Sequence, residues 1–170
     1  GQMFGDFGSP NVSSLSNSIV QIEGGDDLIA VSVGGQGYIL GDIALHAGYM
    51  FGDVSLMIRG GDDRILGGNL DDQIFGDGQV GQMGVANLSA FGGNDLIDGG
   101  SGDDRMWGDY ETTGNVSNMS YGNDTFIFQT GSGHDTIYDF GNGDDLLDVS
   151  AYGFTGFGQI SHSVFGNDTI

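Results

Sequence analysis

A five-residue pattern, Gly-x-Asp-x-hydrophobic, recurs along this chain and constrains its fold more than any other feature. The aspartates of the eight copies are Asp27, Asp63, Asp95, Asp104, Asp124, Asp135, Asp145 and Asp168. With 35 Gly in 170 residues, chance would produce only about 1.4 matches. A pattern that recurs this often predicts a repeat protein, in which each short unit buries its apolar side chain by stacking on its neighbours.

Each unit reads as a tight turn followed by a short strand. The Asp and the hydrophobic residue two places later occupy alternate positions, as in a strand with one face toward a core. The preceding glycines permit the positive φ angles of a tight turn. The sequence therefore predicts an all-β fold whose inward positions are Ile29, Ile39, Met50, Ile65, Ile74, Ile97, Met106, Phe126, Ile137 and Leu147, preceded by Met3 and one of residues 19–22.

Charge narrows the possible partners. The chain carries 24 acidic residues against 3 basic ones, giving a net charge of −21. Nucleic acids and anionic membrane surfaces would be repelled, whereas cations would be attracted. The absence of Cys excludes a disulfide scaffold, and no apolar stretch is long enough to predict membrane insertion. Hydrophobic residues make up 38% of the chain, which argues against acidic disorder provided that something neutralises the aspartates.

The turns offer a consistent set of metal ligands. Stacked Gly and Asp turns present carboxylate and carbonyl oxygens, which are the ligands that calcium prefers. Zinc and copper favour Cys and His, and this chain has no Cys and only His46, His134 and His162. A single Asp in such a turn is adequately explained as a turn former. Aspartates stacked about 4.8 Å apart would repel one another without a counter-ion, which favours several bound Ca²⁺ ions.

Two longer stretches carry a resemblance to a known family. Residues 99–107 (GGSGDDRMW) match the nonapeptide G-G-x-G-x-D-x-U-x, and residues 60–77 and 92–109 agree at 10 of 18 positions. The chain thus resembles the RTX calcium-binding repeats. The resemblance implies a right-handed parallel β-roll, a form of β-helix or solenoid, in which two nonapeptides make one coil. It also implies looped insertions and a C-terminal cap segment.

The resemblance further implies which residues bind calcium. In the best-matched unit these are the carbonyls of Gly100 and Gly102 with the Asp104 carboxylate, while Gly99, Ser101 and Asp103 serve the neighbouring ion. The same registration pairs Gly61 with Asp63, Gly68 with Asp72, Gly93 with Asp95, Gly122 with Asp124, Gly131 and Gly133 with Asp135, and Gly141 and Gly143 with Asp145. The remaining candidate ligands are Asp27, Asp62, Asp71, Asp77 and Asp109. Leu70 replaces the usual glycine in its unit.

The units form one continuous domain in three parts. Residues 1–58 are expected to form degenerate N-terminal coils, residues 59–150 regular calcium-binding repeats, and residues 151–170 the start of a truncated cap. Insertions fall at about 77–91 and 109–121, and their long turns open with Gly-Asp, as does the turn at Gly52-Asp53. If strands alternate between two sheets, all long turns lie on one edge. We interpret the insertions as surface loops, with a binding surface as the alternative. An apolar cluster is expected to shield the C-terminal end: Tyr138, Phe140, Leu147, Val149, Tyr152 and Phe154.

The resemblance implies a module of a secreted or cell-surface protein that is exported unfolded by type I secretion and folds on calcium outside. Its partners would be calcium and neighbouring domains or copies of itself. Alternatives are a structural segment of an adhesin or surface layer, or a non-catalytic accessory module of a secreted polysaccharide-modifying enzyme or protease. Catalysis is not expected, because the paired carboxylates lie in repeat loops and no hydrolase or phosphate-binding motif occurs. An ice-binding solenoid is disfavoured because the threonines form no ladder.

Overall fold

A computed structural model describes residues 2–4, 19–30, 38–45, 55–81, 87–113 and 116–160. Within these residues the regular structure is β-strand apart from two three-residue 3-10 helices, Ser150–Tyr152 and Phe157–Gln159. The all-β prediction is therefore confirmed. The expectations for Met50, the Gly52-Asp53 turn and the last repeat at Asp168 lie outside the described residues.

The strands are short because Gly-rich turns interrupt the chain every few residues. They are β1 (Gln2–Phe4), β2 (Ile19–Glu23), β3 (Leu28–Ala30), β4 (Tyr38–Leu40), β5 (Ile43–Leu45), β6 (Ser55–Arg59), β7 (Arg64–Gly68), β8 (Gln73–Phe75), β9 (Gly78–Val80), β10 (Asn87–Phe91), β11 (Leu96–Gly100), β12 (Arg105–Trp107), β13 (Tyr110–Thr112), β14 (Asn118–Ser120), β15 (Thr125–Ile127), β16 (Thr136–Ile137) and β17 (Leu146–Asp148).

These strands form four sheets, and every pair in them is parallel. The first core sheet contains β3, β7, β11, β15 and β17, and the second core sheet contains β1, β4, β8, β12 and β16. The first insertion sheet contains β5, β9 and β13, and the second insertion sheet contains β2, β6, β10 and β14. From β2 to β16 successive strands visit the sheets in a fixed order: β7 to β10 lie in the first core, second core, first insertion and second insertion sheets, and β11 returns to the first core sheet. After β16, the chain goes directly back to the first core sheet with β17.

The register of the core sheets reproduces the sequence echo between residues 60–77 and 92–109. Ile65 pairs with Ile97 in the first core sheet, and Ile74 pairs with Met106 in the second. Both pairs are separated by 32 residues (97 − 65 and 106 − 74), the offset at which the two stretches match. Consecutive repeats therefore alternate between the two core sheets, and each repeat stacks on the next but one.

The inward positions form the core between these sheets. Seven of them make one buried cluster: Ile29, Ile39, Ile65, Ile74, Ile97, Met106 and Phe126. Ile137 packs against this cluster while only partly buried. Leu147, on the terminal strand β17, is 48% exposed because no described strand covers it. The sequence prediction of the core is thus confirmed for the strands in the middle of the two core sheets.

The insertions contain strands, whereas their largely polar composition predicted surface loops. The stretch Asn87–Phe91 alternates polar and apolar residues, and Leu88 and Ala90 are fully buried. This alternation was a readable strand signal. Both insertions leave the second core sheet and return to the first, so they lie on one edge, as expected from alternating strands.

Aromatic side chains stack on one another between neighbouring strands, and those at the C-terminal end are exposed to solvent. Trp107 lies between Phe75 and Tyr138, with ring centroids 4.6 and 4.3 Å apart. Five of the six residues expected to form a shielding cluster are exposed, from 39% for Tyr152 to 53% for Tyr138, and Val149 is half-buried. The described part of the cap segment therefore leaves this end apolar and accessible. Neither of the short 3-10 helices described here could span a membrane.

Candidate metal centres

Aspartates at the start of the core strands form hydrogen-bonded ladders. In the first core sheet the backbone amide of Asp27 donates to Asp63 Oδ1 at 2.7 Å, that of Asp63 to Asp95 Oδ1 at 2.7 Å, and that of Asp95 to Asp124 Oδ1 at 2.8 Å. The cause is in-register stacking, which places each Asp over the equivalent residue of the next coil. Each bond fixes one carboxylate oxygen and directs the other away from the ladder.

A second ladder starts the strands of the second core sheet. The amide of Asp72 donates to Asp104 Oδ1 at 2.8 Å, and that of Asp104 donates to Asp135 Oδ1 at 3.0 Å. We refer to Asp72, Asp104 and Asp135, which follow the short turns between the core sheets, as the turn row.

Several second oxygens of these ladders are buried without any donor. Oδ2 of Asp63, Asp95 and Asp104 has no hydrogen-bond partner, although these residues are only 1 to 2% exposed. A buried carboxylate oxygen without a donor or a cation is costly, on the order of several kcal/mol. These three buried oxygens are therefore positions where a cation could be held.

A third group of aspartates lies where each insertion begins. Asp42, Asp77 and Asp109 follow the strands of the second core sheet and are 0 to 2% exposed. Each one accepts a hydrogen bond from a glycine amide at the end of its own insertion: Gly61 to Asp42 at 2.8 Å, Gly93 to Asp77 at 3.2 Å, and Gly122 to Asp109 at 2.7 Å. We call the point where the two ends of an insertion meet a neck, so each insertion has its own neck.

At the first neck the carboxylates converge. Single oxygens of Asp27, Asp42 and Asp63 lie within 4.8 Å of one another, so this group could hold a metal ion. A Cβ atom on Gly41 would overlap both Asp63 Oδ2 and the carbonyl oxygen of Gly76. Two acceptor oxygens therefore lie beside the position that a side chain at residue 41 would occupy, and this position is free because residue 41 is glycine.

Asp42 was not among the sequence-predicted ligands. The signal that could have identified it is the Gly-Asp dipeptide, which recurs at the start of the three described insertions. Asp77 and Asp109 were predicted as candidate ligands and carry the same dipeptide, and the structure places both at necks.

The arrangement repeats along the stack. A Cβ atom on Gly76 would overlap Asp95 Oδ2 and the carbonyl oxygen of Gly108, and one on Gly108 would overlap Asp124 Oδ2. The necks thus form a row of equivalent sites lined with oxygen atoms, and each site is built from segments that are far apart in sequence.

Burial strongly affects the titration of these carboxylates. It raises the pKa of Asp63, Asp104 and Asp109 to about 7 and that of Asp124 to about 8. Burial, followed by the charge of Asp95, also holds the pKa of Asp77 well above its usual range. The charges that raise these pKa values all belong to other aspartates. Without a cation, these groups bind protons near neutral pH.

The turn row lies beside glycines in unusual backbone conformations. Gly100 and Gly102 have φ angles of +92° and +137°, which favour glycine. The amide of Gly68 donates to Asp72 Oδ2 at 3.2 Å, and a Cβ on Gly99 would overlap Asp104 Oδ2. Of the predicted pairs in these turns, the structure shows a contact between Gly68 and Asp72, and it places Gly99, predicted to serve the neighbouring ion, beside Asp104.

Three predicted ligands lie on the surface instead. Asp62, Asp71 and Asp103 are exposed, and each accepts a backbone hydrogen bond from the next coil: from Asn94 at 2.8 Å, from Asp103 at 2.9 Å and from His134 at 3.1 Å, respectively. Ser101 is also exposed, and its amide donates to the carbonyl of Gly68 at 3.1 Å. These residues form outer rows beside the buried inner ones.

The other predicted carbonyl ligands stack along the core edges. A Cβ on Gly93 would overlap the carbonyl of Gly61, and the same relation links Gly122 to Gly93, Gly143 to Gly122, and Gly133 to Gly102. Gly131 and Gly141 have positive φ angles and open space around them. At the C-terminal end both oxygens of Asp145 accept hydrogen bonds from backbone amides, one from Asp124 at 3.0 Å and one from Gly141 at 2.7 Å.

Comparison with protein-family models, curated proteins and solved structures finds no match to this chain. Any functional assignment therefore depends on the geometry and chemistry of these rows.

Proposed function

We propose that this chain is a calcium-binding module that folds as a right-handed parallel β-roll when its aspartate rows take up Ca²⁺. One observation carries the proposal. Asp63 Oδ2 is buried without a donor beside the Gly76 carbonyl, in a cluster where Asp27 and Asp42 approach within 4.8 Å.

A cation accounts for this arrangement better than a hydrogen bond does. Carboxylate and carbonyl oxygens are both acceptors, so they repel unless a proton or a cation lies between them. At pH 7 a carboxyl group with a pKa of about 7, such as that of Asp63, is only partly protonated, so protons alone leave part of the negative charge uncompensated. A divalent ion satisfies several oxygens together and removes two negative charges from the buried cluster.

The ligand chemistry favours calcium among the common metals. The neck and the turn row offer carboxylate and backbone carbonyl oxygens, and calcium accepts 6–8 such ligands in irregular geometry. Magnesium requires a stricter octahedron and retains more water, and zinc prefers nitrogen or sulfur. The chain has no Cys, and His134, the His among the described residues, is 97% exposed.

The strand order supports closure into a coil. The chain passes through the same four parallel sheets in the same order, and parallel strands joined by such crossovers are nearly always right-handed. The resemblance to RTX repeats, with two core repeats per coil, supports the same architecture. We place the protein outside the cell or at its surface, where calcium reaches about 10⁻⁴ to 10⁻³ M. The role is ion binding and folding, and it requires no catalytic step.

A second candidate is a structural segment of a larger assembly, such as an adhesin, a surface layer or a secreted enzyme. The observation that favours it is the accessible apolar end, where Leu146 is 62% and Tyr138 53% exposed. Sedimentation in calcium tests this role. Concentration-dependent association that is lost in Leu146→Glu supports it, and a monomer at all concentrations contradicts it.

Circular dichroism with calcium titration tests the main proposal. In chelator at pH 8 we expect a disordered chain, and calcium at about 10⁻⁴ to 10⁻³ M should induce β-structure cooperatively. Magnesium at the same concentration is the control and should leave most of the chain disordered. A chain that is fully folded in chelator at pH 8, or that ignores calcium, would overturn the proposal.

A further inference from the structure

The neck joins chain segments that the repeat pattern keeps apart. Asp77 bonds to Gly93 across 16 residues, and Asp109 bonds to Gly122 across 13 residues. Between Asp77 and Gly93 lie β9 and β10, which belong to the two insertion sheets. A neutral amide and a buried carboxylate thus hold the two ends of a two-strand segment together.

The oxygens at this neck come from three segments. Asp77 begins the insertion, Asp95 follows its end, and the Gly108 carbonyl belongs to the next coil. Asp95 Oδ2 is buried without a donor, and it shares with the Gly108 carbonyl the space beside Gly76. A cation in that space would contact Asp95 and the Gly108 carbonyl and would lie beside Gly76, the residue before Asp77. Two acceptor oxygens cannot hydrogen-bond to each other, so a cation is the simpler way to satisfy both.

Tyr110 is an independent sign that the neck takes a ligand. It is 4% exposed, and its hydroxyl has no hydrogen-bond partner. Tyr110 directly follows Asp109, and Gly78, its partner in the strand register, directly follows Asp77. The register therefore places Tyr110 beside the neck aspartates of two neighbouring strands.

We propose that a divalent cation at the neck clasps the two ends of the 76–95 insertion, with Asp77, Asp95 and the Gly108 carbonyl as ligands. The Tyr110 hydroxyl accepts a hydrogen bond from a water bound to this ion. This clasp deepens the proposed function and depends on it, since calcium is the cation. The neck ion has a separate role from the ions of the turn row. The turn row stabilises the core sheets, whereas the neck ion holds the insertion strands on them.

Hydrogen exchange and native mass spectrometry of Asp77→Asn test the clasp. The Asn keeps one oxygen that can accept the hydrogen bond from the Gly93 amide, and it replaces the other oxygen by an uncharged NH2 group that cannot bind a cation. In saturating calcium we expect the variant to bind fewer ions than wild type. Amide exchange in β9 and β10 should accelerate about tenfold or more, while β11 and β12 stay protected. Unchanged ion count and unchanged exchange in β9 and β10 would overturn the clasp.

If the Asp77→Asn variant does not fold, Tyr110→Phe tests the clasp instead. This variant removes one buried oxygen and keeps the ring. We expect calcium affinity at the neck to fall about three- to tenfold with the fold unchanged in saturating calcium. Tyr138→Phe is the matched control, because its ring stacks on Trp107 and the residue is 53% exposed. Equal calcium affinities for both Tyr variants and wild type would contradict the role of the hydroxyl.

The two proposals fail in different ways. Wild type that binds no calcium contradicts the calcium module and the clasp together. Wild type that folds on calcium, beside an Asp77→Asn variant with the same ion count and exchange pattern, contradicts only the clasp.

Discussion

The carboxylate of Asp77 accepts a hydrogen bond from the backbone amide of Gly93 at 3.2 Å, which joins the start of an insertion to its end. Both residues are buried, and the unpartnered Oδ2 of Asp95 lies two residues beyond Gly93. The charged rows of this protein are therefore built into its interior at the points where distant segments meet. Their protonation and ion binding should control whether the chain folds.

Acidification should stabilise the metal-free fold. Burial raises the pKa of Asp63 to about 7 and that of Asp124 to about 8, against 3.8 ordinarily. Between pH 4 and 7 the folded state therefore binds more protons than the unfolded state, so stability is present at low pH and is lost as pH rises through 7 to 8. In chelator, the chain that is disordered at pH 8 should gain β-structure as the pH is lowered to 5, which circular dichroism measures. Equal or lower β-structure at pH 5 than at pH 8 would contradict this prediction.

Calcium affinity should change with pH in the opposite direction. Protons and ions compete for the same buried oxygens, so lowering the pH from 8 to 6 should raise the calcium concentration needed for folding. Calcium titrations followed by circular dichroism at several pH values measure this shift. The same calcium midpoint at pH 6 and pH 8 would show that the carboxylates with raised pKa values are not the calcium ligands.

Asp104→Asn should weaken calcium-induced folding more than Asp98→Asn. Asp104 is 1% exposed with an unpartnered Oδ2, whereas Asp98 lies on β11 and bonds to the Gly100 amide and the Gln129 side chain. The loss of a charged ligand should raise the calcium midpoint about tenfold or more. Calorimetric titration of both variants measures it. Equal midpoints would remove Asp104 from the ligand set.

Gly76→Ala should disrupt the neck without changing any charge. The added methyl would overlap Asp95 Oδ2 and the Gly108 carbonyl, costing about 1–3 kcal/mol of stability in calcium. Gly156→Ala is the control, because a Cβ there meets nothing within 4 Å. Thermal unfolding of both variants in calcium gives the difference. A Gly76→Ala protein as stable as the control would show that this space is not filled.

Ile97→Ala should destabilise the core by about 2–5 kcal/mol, because it opens a cavity between the two core sheets. Ile97 is fully buried in the main cluster between Ile65 and Phe126 of the neighbouring strands. Leu146→Ala, at a residue that is 62% exposed, is the control and should cost little. Urea unfolding in saturating calcium compares them, and similar losses for both would contradict the assignment of the core.

The core and its register were accessible from sequence because both depend on local periodicity. A unit that places an apolar residue two positions after its Asp presents one face to the core, and the echo between residues 60–77 and 92–109 fixes which units stack. The inward positions Ile65, Ile74, Ile97 and Met106 followed directly. The same reasoning identified the inner aspartates Asp63, Asp95 and Asp104, since each has a fixed place in the unit.

What the sequence alone determined is the repeat, the short strands with one apolar face, and turns rich in carboxylate and carbonyl oxygens. Only the tertiary structure decided which carboxylates are buried. It placed Asp62 and Asp103 outside, recruited Asp42 and Tyr110 to the neck, and made strands of the insertions. The physical reason is that the neck is formed by segments 13 to 19 residues apart in sequence, and their meeting depends on how the insertion strands pair, which no local pattern specifies.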